Sequence, residues 1–179
     1  MAEFSAARVW TMRLAFLLLA LLILSSHLIP LDTQPRRWAP PDLLTAFTFA
    51  WLLRRPDYVP ALLIASVVLL ADFLLMRPPG LMAFLMVLGT EYARRRATGL
   101  TEASFVGEWV AVGLILTAIM VLNRFALLLF AVVQAPLGLT VVQLIATILC
   151  YPLVALITQS LMRVHKPAPG DGEMAGARS

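Results

Sequence analysis

Six residues of this chain are of a type, and in a place, to do chemistry or to bind: Asp42, Asp72, Arg77, Gly80, Glu108 and Arg124. Asp72 is the sharpest signal. It lies in a run from about Tyr58 to Met76 that is otherwise apolar except for Ser66. An acid at mid-bilayer costs about 2.5–3.5 kcal/mol on insertion scales, so it faces protein, pairs, or marks a functional site. Arg77 is five positions on and within reach. One reading is a local Asp72–Arg77 pair or a helix cap; the other is a partner-binding or coupling site. Arg124 sits in a second apolar stretch and needs a counter-charge for the same reason, with Asp72 and Glu108 nearest in type. Asp42 follows Pro40-Pro41 and is placed to cap a helix by accepting from its orphan N–H groups.

Catalytic patterns are missing from this set. The chain has no nucleophile elbow, no HExxH, no phosphate-cradling glycine loop and no Cys/His ligand cluster. Its one cysteine, Cys150, lies in an apolar run and cannot form an internal disulfide. His27 has no visible partner. A proton or ion relay needs several acids inside a bundle, and only Asp72 and Glu108 qualify. The pattern favours a structural or interaction protein over an enzyme, with no cofactor or metal expected.

The elements that must position these residues are membrane helices. Of 179 residues, 61% are hydrophobic and 13% charged, and the mean hydropathy is +0.89. A soluble domain carries about 25% charged residues, so this chain could not cover a water-facing surface. The expected fold is all-α: a compact bundle of about six transmembrane helices with both termini cytoplasmic. A short basic N-terminus covers 1–11. The spans fall at about 12–29, 42–54, 58–76, 81–93, 106–130 and 139–162, and 163–179 reads as a disordered cytoplasmic tail. Residues 43–53 would extend only about 16 Å as a helix, so this segment either crosses with help from its flanks or is tilted or re-entrant. The central hairpin turns at Arg77-Pro78-Pro79-Gly80 and stops at Arg94-Arg95-Arg96. Pro152 falls inside the last span, where a neighbouring helix can tolerate the lost backbone bond.

Charge sets the orientation. With six spans and the N-terminus inside, the inner segments carry Arg8, Arg13, Arg54, Arg55, Arg94, Arg95, Arg96, Arg163, Lys166 and Arg178. The outer ones carry only Arg36, Arg37, Arg77 and Arg124.

At the central hairpin the chain resembles the MreD family, the integral membrane component of the bacterial rod-shape system. The resemblance rests on Pro40-Pro41-Asp42-Leu43-Leu44, on Arg54-Arg55-Pro56, on Asp72 followed eight positions later by Gly80-Leu81, and on Tyr92-Ala93-Arg94-Arg95-Arg96. It covers roughly residues 10–165. It departs four positions before the acid, where Val68 stands in place of the family's common glycine. The resemblance implies a non-catalytic scaffold of the bacterial inner membrane. Its partners would be an MreC-like single-span protein and, through it, MreB-like filaments and the RodA-type synthase with its transpeptidase. Asp72 and Gly80 are the positions matching the family pattern.

A different class also fits the size and helix number, the substrate-binding membrane subunit of a vitamin-type uptake transporter. It requires a cavity with convergent polar groups, which Asp42, Asp72, Glu108, Asn123, Arg124 and Gln143 could supply. A membrane-embedded enzyme acting on lipids is a third class, for which His27 alone supplies no constellation.

Overall fold

The computed structural model describes residues 6–28, 39–96, 105–132 and 134–162, and all the regular structure among them is helical. Six α-helices follow in order: α1 (Ala6–Leu28), α2 (Leu43–Arg54), α3 (Ala61–Leu74), α4 (Leu81–Arg95), α5 (Phe105–Leu129) and α6 (Leu137–Met162), with a 3₁₀ turn at Pro56–Tyr58. Three stretches are long and apolar enough to cross a membrane: Arg8–Leu28, Phe105–Leu129 and Leu137–Ser160. They mark the chain as a membrane protein. Helices α2 and α3 are apolar but shorter. The first helix starts at Ala6, inside the stretch that reads from sequence as a polar N-terminal segment. The tail 163–179 lies outside the described residues.

The helices alternate in direction. Arg13, near the start of α1, reaches the Asp57 carbonyl between α2 and α3. Arg94, at the end of α4, donates to the carbonyls of Pro56 and Val59. These contacts gather the start of α1, the end of α2, the start of α3 and the end of α4 at one end of the bundle. Glu108 of α5 and Tyr151 of α6 join Arg54 towards that same end.

Each of α1 and α3 to α6 packs against its neighbours around the bundle, with α3 on α4, α4 on α5 and α5 on α6. Helix α2 packs against α6, α4 and α1 and is enclosed: every residue from Leu44 to Arg54 is buried. Phe47 stacks on Phe16 of α1 at 5.3 Å between ring centroids, and Trp51 tilts against both rings. Enclosure explains why a helix of 12 residues, about 18 Å long, holds its place. Its ends need not reach water on both sides, because its backbone is satisfied inside the helix and its side chains meet protein.

The burial pattern is inverted relative to a soluble bundle. Leu14, Leu18 and Leu22 form an outward stripe at helical spacing on α1, and Leu114, Phe125 and Leu128 of α5 and Leu149, Leu153 and Leu156 of α6 also face out. Meanwhile Thr48, Arg54, Asp72, Thr90, Glu108, Thr147 and Thr158 are buried. The buried threonines donate to the carbonyl four residues back, which satisfies each hydroxyl within its own helix. Continuous exposed apolar surface on this scale fits hydrocarbon rather than water.

Two close approaches fix helix spacing. A Cβ at Gly89 of α4 would lie 2.8 Å from Ile119 Cδ1 of α5, so this glycine lets the two helices touch. The other is a polar clip. Pro152 lacks the N–H that would bond Ile148 four residues earlier, and the indole N–H of Trp109 on α5 donates to that orphaned carbonyl at 2.7 Å.

Candidate functional site

The charged residues collect at the two ends of the bundle. At the end where α2 finishes, Arg54 and Glu108 form a buried ion pair. Arg54 Nη1 lies 3.2 Å from Glu108 Oε1, and the side chains are 0% and 1% exposed. The same carboxylate oxygen accepts from Tyr151 Oη at 2.7 Å. Arg54 Nη1 also donates to the Ala50 carbonyl of its own helix. With the Gln159 amide set so that its oxygen faces the guanidinium, Oε1 accepts from Arg54 Nη2 at 3.2 Å and from Nε at 3.1 Å. The cluster ties α2, α5 and α6 together. A guanidinium held on three sides in this way is a cross-brace rather than a mobile charge.

This corrects two expectations. Glu108 does not pair with Arg124; its partner is Arg54, which from sequence reads as part of a basic turn at the membrane surface. Of the basic triplet, Arg94 is also structural, since besides its two carbonyl contacts it pairs with Glu91 at 3.0 Å. Arg95 and Arg96 are exposed.

At the opposite end Asp72 caps the next helix. Its Oδ2 accepts from the backbone N–H of Gly80 at 3.0 Å and of Ala83 at 3.4 Å. These are first-turn groups of α4, left without intrahelical partners, and a carboxylate there faces the positive end of the helix dipole. The turn between is built to allow this. Helix α3 ends with Met76 in the left-handed region (φ 52°), the Arg77 N–H returning to the Asp72 carbonyl and the Met76 N–H to Phe73, the Schellman arrangement. Gly80 then takes φ 88°, where a side chain is unfavourable. The Asp72 and Arg77 side chains form no ion pair. Asp72 Oδ1 is buried and has no hydrogen-bond partner among the described residues.

Asp42 caps α2 by accepting from Thr45 N at 3.1 Å, and its own N–H donates to Thr147 Oγ1 of α6 at 2.8 Å. Arg124 lies near the end of α5. Its Nη1 donates to the Ala135 carbonyl at 3.1 Å and to Thr140 Oγ1 at 2.8 Å, so it fastens the α5–α6 turn instead of meeting Asp72 or Glu108. Gln134 Nε2 closes the loop by donating to the Arg124 carbonyl.

A cavity of about 370 Å³ opens between these groups. Asp42 and Thr45 of α2, Arg77 of the α3–α4 turn, Asn123 and Arg124 of α5, Gln134, and Gln143 and Thr147 of α6 supply its polar wall. Leu81, Met82, Leu116, Ile119, Met120 and Leu144 supply the apolar one. An adjoining hollow of about 260 Å³ continues past Asp42, Arg77 and Gln143 to His27 and Leu24 of α1. Thus Asp42, Asn123, Arg124 and Gln143 converge on one space, while Asp72 and Glu108 do not line it. Among the described residues no three of His, Cys, Asp and Glu come together to hold a metal.

Protein-family models, curated proteins and solved structures contain no match to this chain. What the fold and the two polar ends define is a class: an all-helical membrane protein braced internally by buried charge, with a polar cavity at one end.

Proposed function

We propose that this chain is a non-catalytic scaffold of the bacterial cytoplasmic membrane that acts in cell-wall elongation and cell shape, in the manner of the MreD family it resembles. All six helices cross the bilayer, with both termini in the cytoplasm. The gathering of Arg13, Arg54, Arg55 and Arg94 to Arg96 at one end supports that orientation, because basic residues favour the cytoplasmic side. The partner is an MreC-like single-span protein, which would link the bundle to MreB-like filaments and to the RodA-type synthase with its transpeptidase.

The observation that carries this reading is the α3–α4 hairpin. Asp72 and Gly80, on which the resemblance rests, are in direct contact, the carboxylate of one accepting from the backbone of the other. The buried charges brace helices in the same way, as a part that holds others in register requires.

The test is depletion of the protein in its native bacterium, with cell width and sites of new wall synthesis imaged over several generations. Rounding with dispersed synthesis, and loss of the MreC-like partner from the purified complex, is the expected result. Unchanged shape with a growth defect relieved by a nutrient would overturn it. That outcome would favour the vitamin-type uptake subunit, a reading supported by the cavity with Asp42, Asn123, Arg124 and Gln143 in its wall.

A further inference from the structure

We infer that the cavity at the Asp72 end binds an amphipathic anion, a carboxylate or phosphate with an apolar stem. The inference rests on the cavity and holds for a scaffold or an uptake subunit alike.

Three observations define the ligand. First, the cavity holds two cations with donors to spare. Arg124 spends only Nη1, on Ala135 and Thr140, and Arg77 makes no side-chain hydrogen bond or ion pair among the described residues. Both line the same space. The one acid in the wall, Asp42, already serves as the cap of α2, and Asp72, near enough to Arg77 to feel its charge, caps α4, so the wall itself carries two cations to one anion. Guanidinium groups with free N–H donors are suited to carboxylate and phosphate oxygens.

Second, Arg124 is held in place at the wall. Gln134 Nε2 donates to its carbonyl, and its Nη1 is tied to Ala135 and Thr140, so its remaining N–H groups are presented from a fixed position beside the cavity. Gln134 Oε1 is buried behind the wall, with no partner among the described residues, and takes no part in the site.

Third, the rest of the wall is apolar apart from Thr45, Asn123, Gln143 and Thr147, and the volume lies near the lower limit of small-molecule sites, about 300–1,000 Å³. It admits a head group and the first carbons of a chain, not a large ring system. The chemistry is common to the head group of an anionic lipid and to a soluble acid with a short alkyl tail, such as a hydroxy acid.

The full-length protein, purified in a neutral detergent, is titrated with dihexanoyl-phosphatidylglycerol, with 3-hydroxydecanoate and with dihexanoyl-phosphatidylcholine, and binding is read by native mass spectrometry. At least one of the two anions should bind at least tenfold more tightly than the zwitterion. Arg77→Gln should weaken it about tenfold, and Arg77→Gln with Arg124→Gln further. Because Arg77 is exposed and its side chain makes no hydrogen bond or ion pair among the described residues, Arg77→Gln should fold as the parent does, and its unfolding temperature checks this. Binding of the lipid alone identifies a membrane source, and binding of the hydroxy acid alone a soluble one. Equal affinity for anion and zwitterion, or an anion affinity unchanged by Arg77→Gln and by the double substitution, overturns the inference.

Discussion

Removing the carboxylate of Glu108 while leaving Arg54 in place should be among the most destructive single changes available. The guanidinium is fully buried and would lose its only anionic partner among the described residues, at 3.2 Å. Tyr151, equally buried, would lose the acceptor of its hydroxyl. Breaking one side of a buried pair costs about 3–5 kcal/mol. The stranded tyrosine adds about 1–3 kcal/mol for a buried donor without an acceptor. Glu108→Ala should therefore destabilise by roughly 4–6 kcal/mol, some of the sum being lost to relaxation. Removing both charges has a different outcome. Arg54→Met with Glu108→Leu replaces the pair by apolar side chains and should recover most of the loss, since such exchanges are often neutral or stabilising. The assay is unfolding of the purified protein in mixed micelles by a denaturing detergent, for the parent, both single variants and the double. A coupling energy above about 2 kcal/mol is expected. If each single variant unfolds within about 0.5 kcal/mol of the parent, the cluster is not the brace described here.

Four further comparisons test other contacts. Gly80→Ala should cost about 1–2 kcal/mol through the backbone alone, because a Cβ there meets no atom within 4 Å; Met76→Gly, at the other left-handed position of the same turn, should stabilise by a smaller amount in the same assay. Trp109→Phe strands the Ile148 carbonyl and should cost about 1–3 kcal/mol. That cost should shrink in a Pro152→Ala background, where the helix supplies its own donor, and a thermodynamic cycle of the four proteins reads the difference. Gly89→Ala should be less stable than Gly113→Ala by about 1–2 kcal/mol, since the new Cβ lies 2.8 Å from Ile119 in the first and 3.6 Å from Ile148 in the second. Arg94→Ala should lower the unfolding temperature by several degrees, whereas Arg96→Ala, whose side chain is exposed over Tyr92, should leave it nearly unchanged.

Local chemistry was legible in the sequence and distant pairing was not. The Asp42 cap follows from a Pro-Pro-Asp opening and needs only three residues of context. The Asp72–Gly80 contact spans eight positions across a tight turn, so both ends could be seen in one motif, and capping was one of the roles open to Asp72. The Arg54–Glu108 pair spans 54 positions and its Tyr151 contact 43. Which helices meet depends on the packing order of the whole bundle, and hydropathy carries no information on that. Arg54 was further obscured because an arginine at a helix end satisfies the rule for cytoplasmic charge whether or not it turns inward. Arg124 misleads in the opposite sense. A charge in an apolar run asks for an acid, yet the turn after α5 offers a loop carbonyl at Ala135, and Arg124 uses it together with a threonine. The Trp109–Pro152 clip had a readable half, the missing N–H at Pro152, but no local cue to its donor.

The enclosure of α2 has a consequence for how the protein is made. Ribosomes deliver this helix second, with only α1 to shelter it, whereas its main packing partner α6 emerges last. For most of synthesis the fully surrounded segment must wait with much of its surface unmatched, including Arg54, whose carboxylate partner is still to come. The native arrangement around α2 thus closes only once α6 has been made. A chain cut short before α6 leaves one side of α2 uncovered and the Arg54–Glu108 pair without Tyr151 and Gln159 to close it, so α2 is the helix that such a fragment would hold least well.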